Sequence, residues 1–388
     1  MFNYADYARD LRHELHQIPE IGYDLPKTTA VVKRELDAMG ITYTEKYGQG
    51  SVVAYLGKES GFTIGIRADM DALPIREESG NPYSSQHEGQ MHACGHDAHT
   101  AQLLAVTRKL KDMESQLRCR VKIMFQPAEE YITPGAKMMV ENGVMEDVDC
   151  AIACHVAGTM DYSHIGICPA GGTNTNSMGI LCEFFGKSAH ANSQHKAVDA
   201  IRMAHQAYMG MELMAAREIP SKECFVFNVG SFHGGNTNNI VCDYAKMFIS
   251  ARSWDDDLSA FMERRVREIC DSIAQMNGGE AKVTVTKLIP YNLNNPIMVD
   301  KLWTSAQKTL GADHVHTIER TMGAEDFAFM SRQKPCAMFR FGVGSNDVPG
   351  SRNPLHNGKF DLDERCFQYG IEVFVNFVLD YQDGIQFR

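Results

Sequence analysis

Along the first forty residues, apolar positions recur at helical spacing: Leu11, Leu15 and Ile18, then again from Ala30 to Met39. That rhythm predicts two helices between about Tyr4 and Gly40, joined by the turn IPEIGYDLPKT. Shorter strand-like runs follow, TYTEKYG and SVVAYLG, and then FTIGIRADMDALP, whose apolar part stops abruptly at Asp69 and Asp71. The same pattern occurs twice more. RVKIMFQPAEE runs apolar from Val121 to Phe125 and ends in Glu129 and Glu130, and VDCAIACHVAG runs from Val148 to Cys154 and ends in His155. Helical stretches at His99 to Met113 and about Gly135 to Asn142 separate these runs, the second closed by Gly143. Strands alternating with helices predict a mostly parallel sheet with helices on its faces. Ligands of such sheets bind beyond the carboxyl ends of the strands, so the three runs aim DMD, EE and a histidine at one edge.

From about Gly172 to Leu288 the texture changes. Strand (Gly179 to Phe185), helix (His195 to Ala215), two strands (Phe225 to Phe232, Val241 to Ala251), helix (Leu258 to Met276) and strand (Ala281 to Leu288) follow one another. This βαββαβ order is that of a ferredoxin-like unit, which can bury its own core. The expected organisation is therefore a discontinuous α/β domain, 1–171 and 289–388, with a second domain, 172–288, inserted into it. After the insertion come the helix Ile297 to Leu310, the acidic turn MGAEDFAFM, the apolar run PCAMFRFGVG and a last helix. His356 sits in a Gly, Pro and Asn-rich loop before that helix, placed to return to the same sheet edge.

The stretch His87 to His99, HEGQMHACGHDAH, concentrates four histidines, a cysteine, a glutamate and an aspartate. Cys94 and His96 flank Gly95, so a turning backbone can bring both side chains to one point. Taken alone, Cys94 reads as a small buried apolar residue. Together with three polar strand ends it points to a metal site. Thiolate with imidazole suits zinc; imidazole with carboxylate also suits manganese, cobalt or nickel. Adjacent carboxylates such as Glu129 and Glu130 allow one to coordinate while the other takes a proton from water.

Composition narrows the class. At 388 residues with 44% hydrophobic and 22% charged positions, the chain is of the soluble globular kind and long enough for two domains. No window approaches a membrane-spanning apolar run, and the charged, amphipathic MFNYADYARDLRHELHQ is no signal peptide, so the cytoplasm is the expected compartment. Eleven cysteines without a CxxC pair fit reduced thiols. A net charge of −11 and the lack of a Lys/Arg block exclude a general nucleic-acid surface.

With these residues assembled, the chain resembles the M20 metallopeptidase family, in its amidohydrolase branch of N-acyl-amino-acid hydrolases, aminoacylases, hippurate hydrolases and auxin-conjugate hydrolases. The resemblance rests on RHELHQIPEIGYDLPKT, RADMDALPI, MHACGHDAHTA, FQPAEE, GGNTNNIV, MGAEDFAFM and LHNGKFDLDE, in order and spread over nearly the whole chain. It implies a zinc-exopeptidase-like catalytic domain holding two divalent ions, Zn or Mn first and Co or Ni next, about a hydrolytic water. It implies Cys94 as the bridging ligand, Glu130 and His356 as ligands of one ion, and His96 and His155 as ligands of the other. Glu129 matches the general base and Asp71 the acid that orients a ligand. The inserted domain would be a lid that also forms a homodimer. There His190 would reach an active site, often the partner's, and Asn239 and Arg252 would contact a small N-acyl amino acid, Arg252 through its carboxylate. The lid motif departs from the usual form around Ser188, Ala189, Asn192, Ser193, Gln194 and Ala200, Cys242 stands where the family's proline would follow Asn239, Ile240 and Val241, and GSED reads Gly323, Ala324, Glu325, Asp326. These departures bear on substrate choice more than on hydrolysis.

Three other readings compete. A cysteine hydrolase using Cys94 as nucleophile would be indifferent to chelators, and it leaves Glu129, Glu130, His155 and His356 without a role. A scaffold that binds an N-acyl ligand without turnover would be indifferent to Glu129→Gln. A dipeptidase or carboxypeptidase of the same family would share every residue named.

Overall fold

The structure is a computed structural model that describes residues 2–387. The chain divides into two compact units: Met1–Thr173 with Asn292–Arg320 and Asp326–Arg388, and Asn174–Tyr291 with Thr321–Glu325.

In the first unit both N-terminal helices form, Tyr4–His16 and Pro26–Ala38. Asn3 caps the first by accepting from the backbone N–H groups of Ala5 and Asp6, and Pro26, which has no N–H to satisfy, opens the second. The sheet has eight strands in the order Tyr43–Thr44, Val52–Gly57, Arg120–Gln126, Thr63–Asp69, Cys150–Asp161, Cys336–Gly344, Ile165–Ile167 and Val315–Thr317. Its central pairings are parallel: Ile66 lies opposite Ile123 on one side and Ile152 on the other. The pairings of Val52–Gly57 with both its neighbours are antiparallel, as is that of Cys336–Gly344 with Ile165–Ile167. The connection from Thr44 to Val52 is too short for the crossover that a parallel pair needs.

Alternate residues serve opposite faces. Ile64, Ile66, Ile123 and Ile152 join one core cluster with Leu103, Leu104, Phe374 and Phe377. Met124, Ala151 and Ala153 join another with Met139, Phe327 and Met338. The strands are thus buried on both sides and read as continuous apolar runs.

Two sequence expectations change here. The strand carrying His155 does not end there but continues to Asp161, because Cys336–Gly344 pairs along it, with Arg340 opposite His155 and Gly342 opposite Ala157. The following helix of the metal motif begins at His96 rather than His99, since Gly95, at φ 80°, makes the left-handed turn into its first residue. Among the described residues no helix is long and apolar enough to cross a membrane, and all eleven cysteines are free.

The second unit runs strand Ser177–Phe185, helix Ala200–Arg217, strands Phe225–Gly234 and Tyr244–Ser253, helix Asp256–Asn277, strand Glu280–Ile289. Its antiparallel sheet has the order Phe225–Gly234, Tyr244–Ser253, Ser177–Phe185, Glu280–Ile289. Ile180, Cys182, Phe184, Met247 and Ile249 pack against Met203, Ala207, Met211, Val266 and Cys270 of the two helices. The first helix starts at Ala200, not His195, because Asp199 caps it by accepting from Arg202 N–H; His195 lies in a preceding 3₁₀ segment, Ala191–Lys196.

Candidate metal centre

Near the carboxyl ends of the central strands, with His155 inside Cys150–Asp161 itself, the first unit gathers the residues that the sequence marks as ligands. Cys94 Sγ lies 3.4 Å from His155 Nε2, and His356 Nε2 lies 2.8 Å from Glu130 Oε1. Donor atoms of Cys94, His96 and His155 fall within 4.8 Å of one another, as do those of Cys94, Glu130 and His356, and those of His96, Glu129 and Glu130. Cys94 therefore belongs to two of the groups.

The local backbone is built to hold them. Asp71, just past the strand Thr63–Asp69, accepts the N–H of Glu129 on Oδ1 at 2.9 Å and that of Glu130 on Oδ2 at 3.0 Å. Its carbonyl oxygen accepts from His96 Nδ1 at 2.8 Å. One residue thus orients a histidine and fixes the turn that carries both glutamates. Among the described residues only Ala128 (φ 57°) and His356 (φ 61°) combine a positive φ with a side chain. One precedes the glutamate pair and the other is a proposed ligand, and strain of about 1–3 kcal/mol at such positions collects where geometry is functional. His356 is tied by its N–H to the carbonyl of Ala93 at 2.9 Å, beside Cys94.

A buried network supports Glu129 from behind. Its Oε1 accepts from Asp326 N–H at 3.3 Å. The Asp326 carboxylate accepts from Arg67 at 2.8 Å, from Gln126 at 2.8 Å and from Ala136 N–H at 2.9 Å. Arg67 also donates to Asp69 at 2.8 Å.

The electrostatics suit a cation. Burial pushes the Cys94 thiol well up and holds the His155 imidazole well down, and each effect is removed when the thiolate sulfur or the imidazole nitrogen binds a positive ion. Burial also opposes ionisation of Glu130, yet the neighbouring His356 and His96 bring its carboxyl below the usual range. His96 Nε2 is buried and makes no hydrogen bond, while its Nδ1 is held by Asp71. An imidazole anchored through one nitrogen and presenting the other unsatisfied is the usual posture of a metal ligand. Thiol, imidazole and carboxylate donors together fit a pair of divalent ions.

The remaining sequence candidates lie in the second unit. His190 is exposed in the short ribbon Ala189–His190 with Ile240–Val241, where it stands opposite Ile240 and accepts from Asn192 N–H at 3.2 Å. Asn239 is next to that ribbon, its carbonyl accepting from Ala191 N–H at 2.9 Å and its side chain from Thr237 at 2.8 Å. Arg252, near the end of Tyr244–Ser253, donates to the Met322 carbonyl at 2.6 Å.

Sequence reasoning set Asp69 at the strand end aimed at the site but gave it no role, and it missed His99, Arg67 and Asp326 as members of the site's support. The paired aspartates of DMD and the repeated histidine of HDAH were visible signals. The convergence of Arg67 and Asp326 was not, since nothing in the local pattern brings them together.

The family description "Peptidase family M20/M25/M40" matches residues 65–380. A hippurate hydrolase from Campylobacter jejuni is 31% identical over 375 residues, covering 96% of this chain and 95% of its own. The IAA-amino acid hydrolase ILR1-like 6 of Arabidopsis thaliana is 30% identical over 373 residues, 95% of this chain and 78% of its own. Among solved structures, the Bacillus subtilis YXEP protein, described as a dinuclear metal binding peptidase from the M20 family, superposes with a TM-score of 0.81 at 25% identity, covering 98% of this chain and 99% of that one.

Proposed function

The chain belongs to peptidase family M20/M25/M40, in its amidohydrolase branch, as a metal-dependent amide hydrolase, and from that premise we propose that it cleaves N-acyl amino acids to a carboxylic acid and a free amino acid. The observation that carries this reading is the carboxylate pair beside the thiol and imidazoles: Glu129, buried, and Glu130, partly buried, share one turn fixed by Asp71, yet Glu129 accepts from Asp326 N–H while Glu130 pairs with His356. The hippurate hydrolase and the IAA-amino acid hydrolase, both similar along nearly the whole of this chain, support the substrate class.

Cys94, Glu130 and His356 would hold one divalent ion and Cys94, His96 and His155 a second, Zn or Mn first and Co or Ni next, supplying polarisation of the amide carbonyl and a lowered pKa for water. Glu129 takes the proton of the attacking water and delivers it to the leaving amine. Asp326 N–H, bonded to Glu129 Oε1, keeps that carboxylate aimed. Asp71 holds the turn on which base and ligand stand. His190 is assigned to the developing oxyanion, Asn239 and Arg252 to the substrate, Arg252 by its fit to a carboxylate. Residues 172–288 act as a lid and homodimerisation domain, and the enzyme works in the cytoplasm.

Glu129→Gln tests the assignment. It keeps size and removes the base, so turnover of an N-acyl amino acid should fall by about 10²–10⁴-fold while the bound metal, measured by elemental analysis, stays at the wild-type amount. Unchanged turnover with metal in place would remove Glu129 from the role.

A further inference from the structure

His99 lies within the cluster and has no role in the mechanism above. Donor atoms of Asp69, His96 and His99 meet within 4.8 Å, which by distance alone would make a further metal-binding group. The hydrogen bonds say otherwise. His99 Nε2 accepts the N–H of Val156 at 3.0 Å, so that nitrogen carries no proton. The proton then sits on Nδ1, which donates to Asp69 Oδ1 at 2.6 Å. Both ring nitrogens are taken. Asp69 is equally committed: Oδ2 accepts from Arg67 at 2.8 Å, and its carbonyl accepts from the Thr100 hydroxyl at 2.9 Å.

The ring's surroundings show what it does instead. It stacks on His96, centroids 5.4 Å apart at 29°, and meets His155 edge-on, centroids 4.7 Å apart at 68°. Its hydrogen bond ends on Val156, the residue after His155. The same Val156 side chain seals the loop between Cys94 and His96: a Cβ on Gly95 would lie 2.7 Å from its Cγ2. His99 thus joins strand Thr63–Asp69 to strand Cys150–Asp161 at the point where the second strand presents His155, and it packs against both imidazoles assigned to one ion.

We propose that His99 is a positioning residue, not a ligand: with Asp69 it pins Val156 N–H and so sets the directions of His96 and His155. The proposal rests on the reading that these two imidazoles hold a divalent ion. Two substitutions separate the ring's two bonds. Glutamine can carry its amide oxygen out to Val156 N–H, whereas asparagine can keep the donor to Asp69 but is too short to reach Val156.

The test is titration of metal-stripped full-length protein with cobalt(II), followed by the thiolate charge-transfer band of Cys94 and the visible d–d bands. The expected result is two cobalt ions per chain in wild type, His99→Gln and His99→Asn alike. His99→Gln should show a spectrum and affinity close to wild type, and His99→Asn should show shifted d–d bands and one ion bound about 10-fold or more weakly, the scale of losing an outer partner of a ligand. A stoichiometry of one in both variants would make His99 a ligand and overturn the proposal. An asparagine variant with the wild-type spectrum and affinity would overturn it too. Wild-type protein that takes up no cobalt would overturn the metal-centre reading itself, and this inference with it.

Discussion

Asp71→Asn is the perturbation that discriminates most sharply, because one buried carboxylate holds the whole glutamate turn. In the wild type its two oxygens accept separately from Glu129 and Glu130 N–H at 2.9 and 3.0 Å. Bonds to a charged acceptor contribute about 1.5–3 kcal/mol each, and a buried donor left unpaired costs about 1–3 kcal/mol. Asparagine keeps one acceptor, made neutral, and turns an NH₂ towards the other N–H, so one bond is lost and the second weakened. The sum is about 3–5 kcal/mol on a segment whose Ala128 already stores about 1–3 kcal/mol of left-handed strain. That is enough for the turn to relax and carry Glu130 away from Cys94 and His356. With about 1.4 kcal/mol per factor of ten, a third to a half of the loss appearing in the site would weaken binding of one ion by roughly 5–60-fold. Calorimetric titration of metal-stripped protein with zinc measures this, and turnover at saturating metal should fall with it. Asp71→Ala, which removes both acceptors and leaves the N–H groups of Glu129 and Glu130 without their partner, should be worse still. Zinc affinity within threefold of wild type and unaltered turnover in Asp71→Asn would show that the Asp71 carboxylate does not hold the glutamate turn.

Gly95→Ala forces a side chain into φ 80° and against Val156, so it should weaken zinc binding at least tenfold and lower the melting temperature in the same calorimetric and thermal assays. A pH dependence follows from His16, whose Nδ1 faces Asp97 at 2.7 Å and Nε2 faces Glu77 at 3.2 Å. Burial opposes its charge, but Asp97 and Glu77 reverse this and raise it to about 9. The unfolded value is lower, about 6.5, so the stabilisation is complete below about 6.5 and is lost as pH rises through about 9. His16→Gln should therefore be less stable than wild type by up to about 3 kcal/mol at pH 6, a gap that narrows by pH 9 in thermal melts.

What the sequence disclosed, and what it withheld, follows physical lines. The CGH loop, the DMD and EE strand ends and the αβ alternation were legible because each is a local pattern: an apolar run that stops, or a periodicity that switches. The extent of the strand through His155 was hidden because its last residues are held by backbone bonds to Cys336–Gly344, not by apolar burial. The three-residue strands Ile165–Ile167 and Val315–Thr317 are too short for any periodicity. Of the four histidines between His87 and His99, spacing cannot tell a ligand from a brace. His87 donates to the Pro19 carbonyl at 2.6 Å, and His99 is consumed by Asp69 and Val156, whereas His96 keeps one nitrogen unsatisfied. Arg67 and Asp326 became part of the site only through tertiary structure, which brings together residues far apart in the chain to support one carboxylate.

The most direct test of the central claim is release of free amine from a panel of N-acyl amino acids by metal-stripped protein, titrated with zinc, manganese, cobalt or nickel. Without metal no amine should be released, and activity should rise with added ion to a plateau near two equivalents per chain, with the acyl groups ranked by rate. Full activity in the stripped protein, or two bound ions with none of the panel cleaved, would contradict the claim.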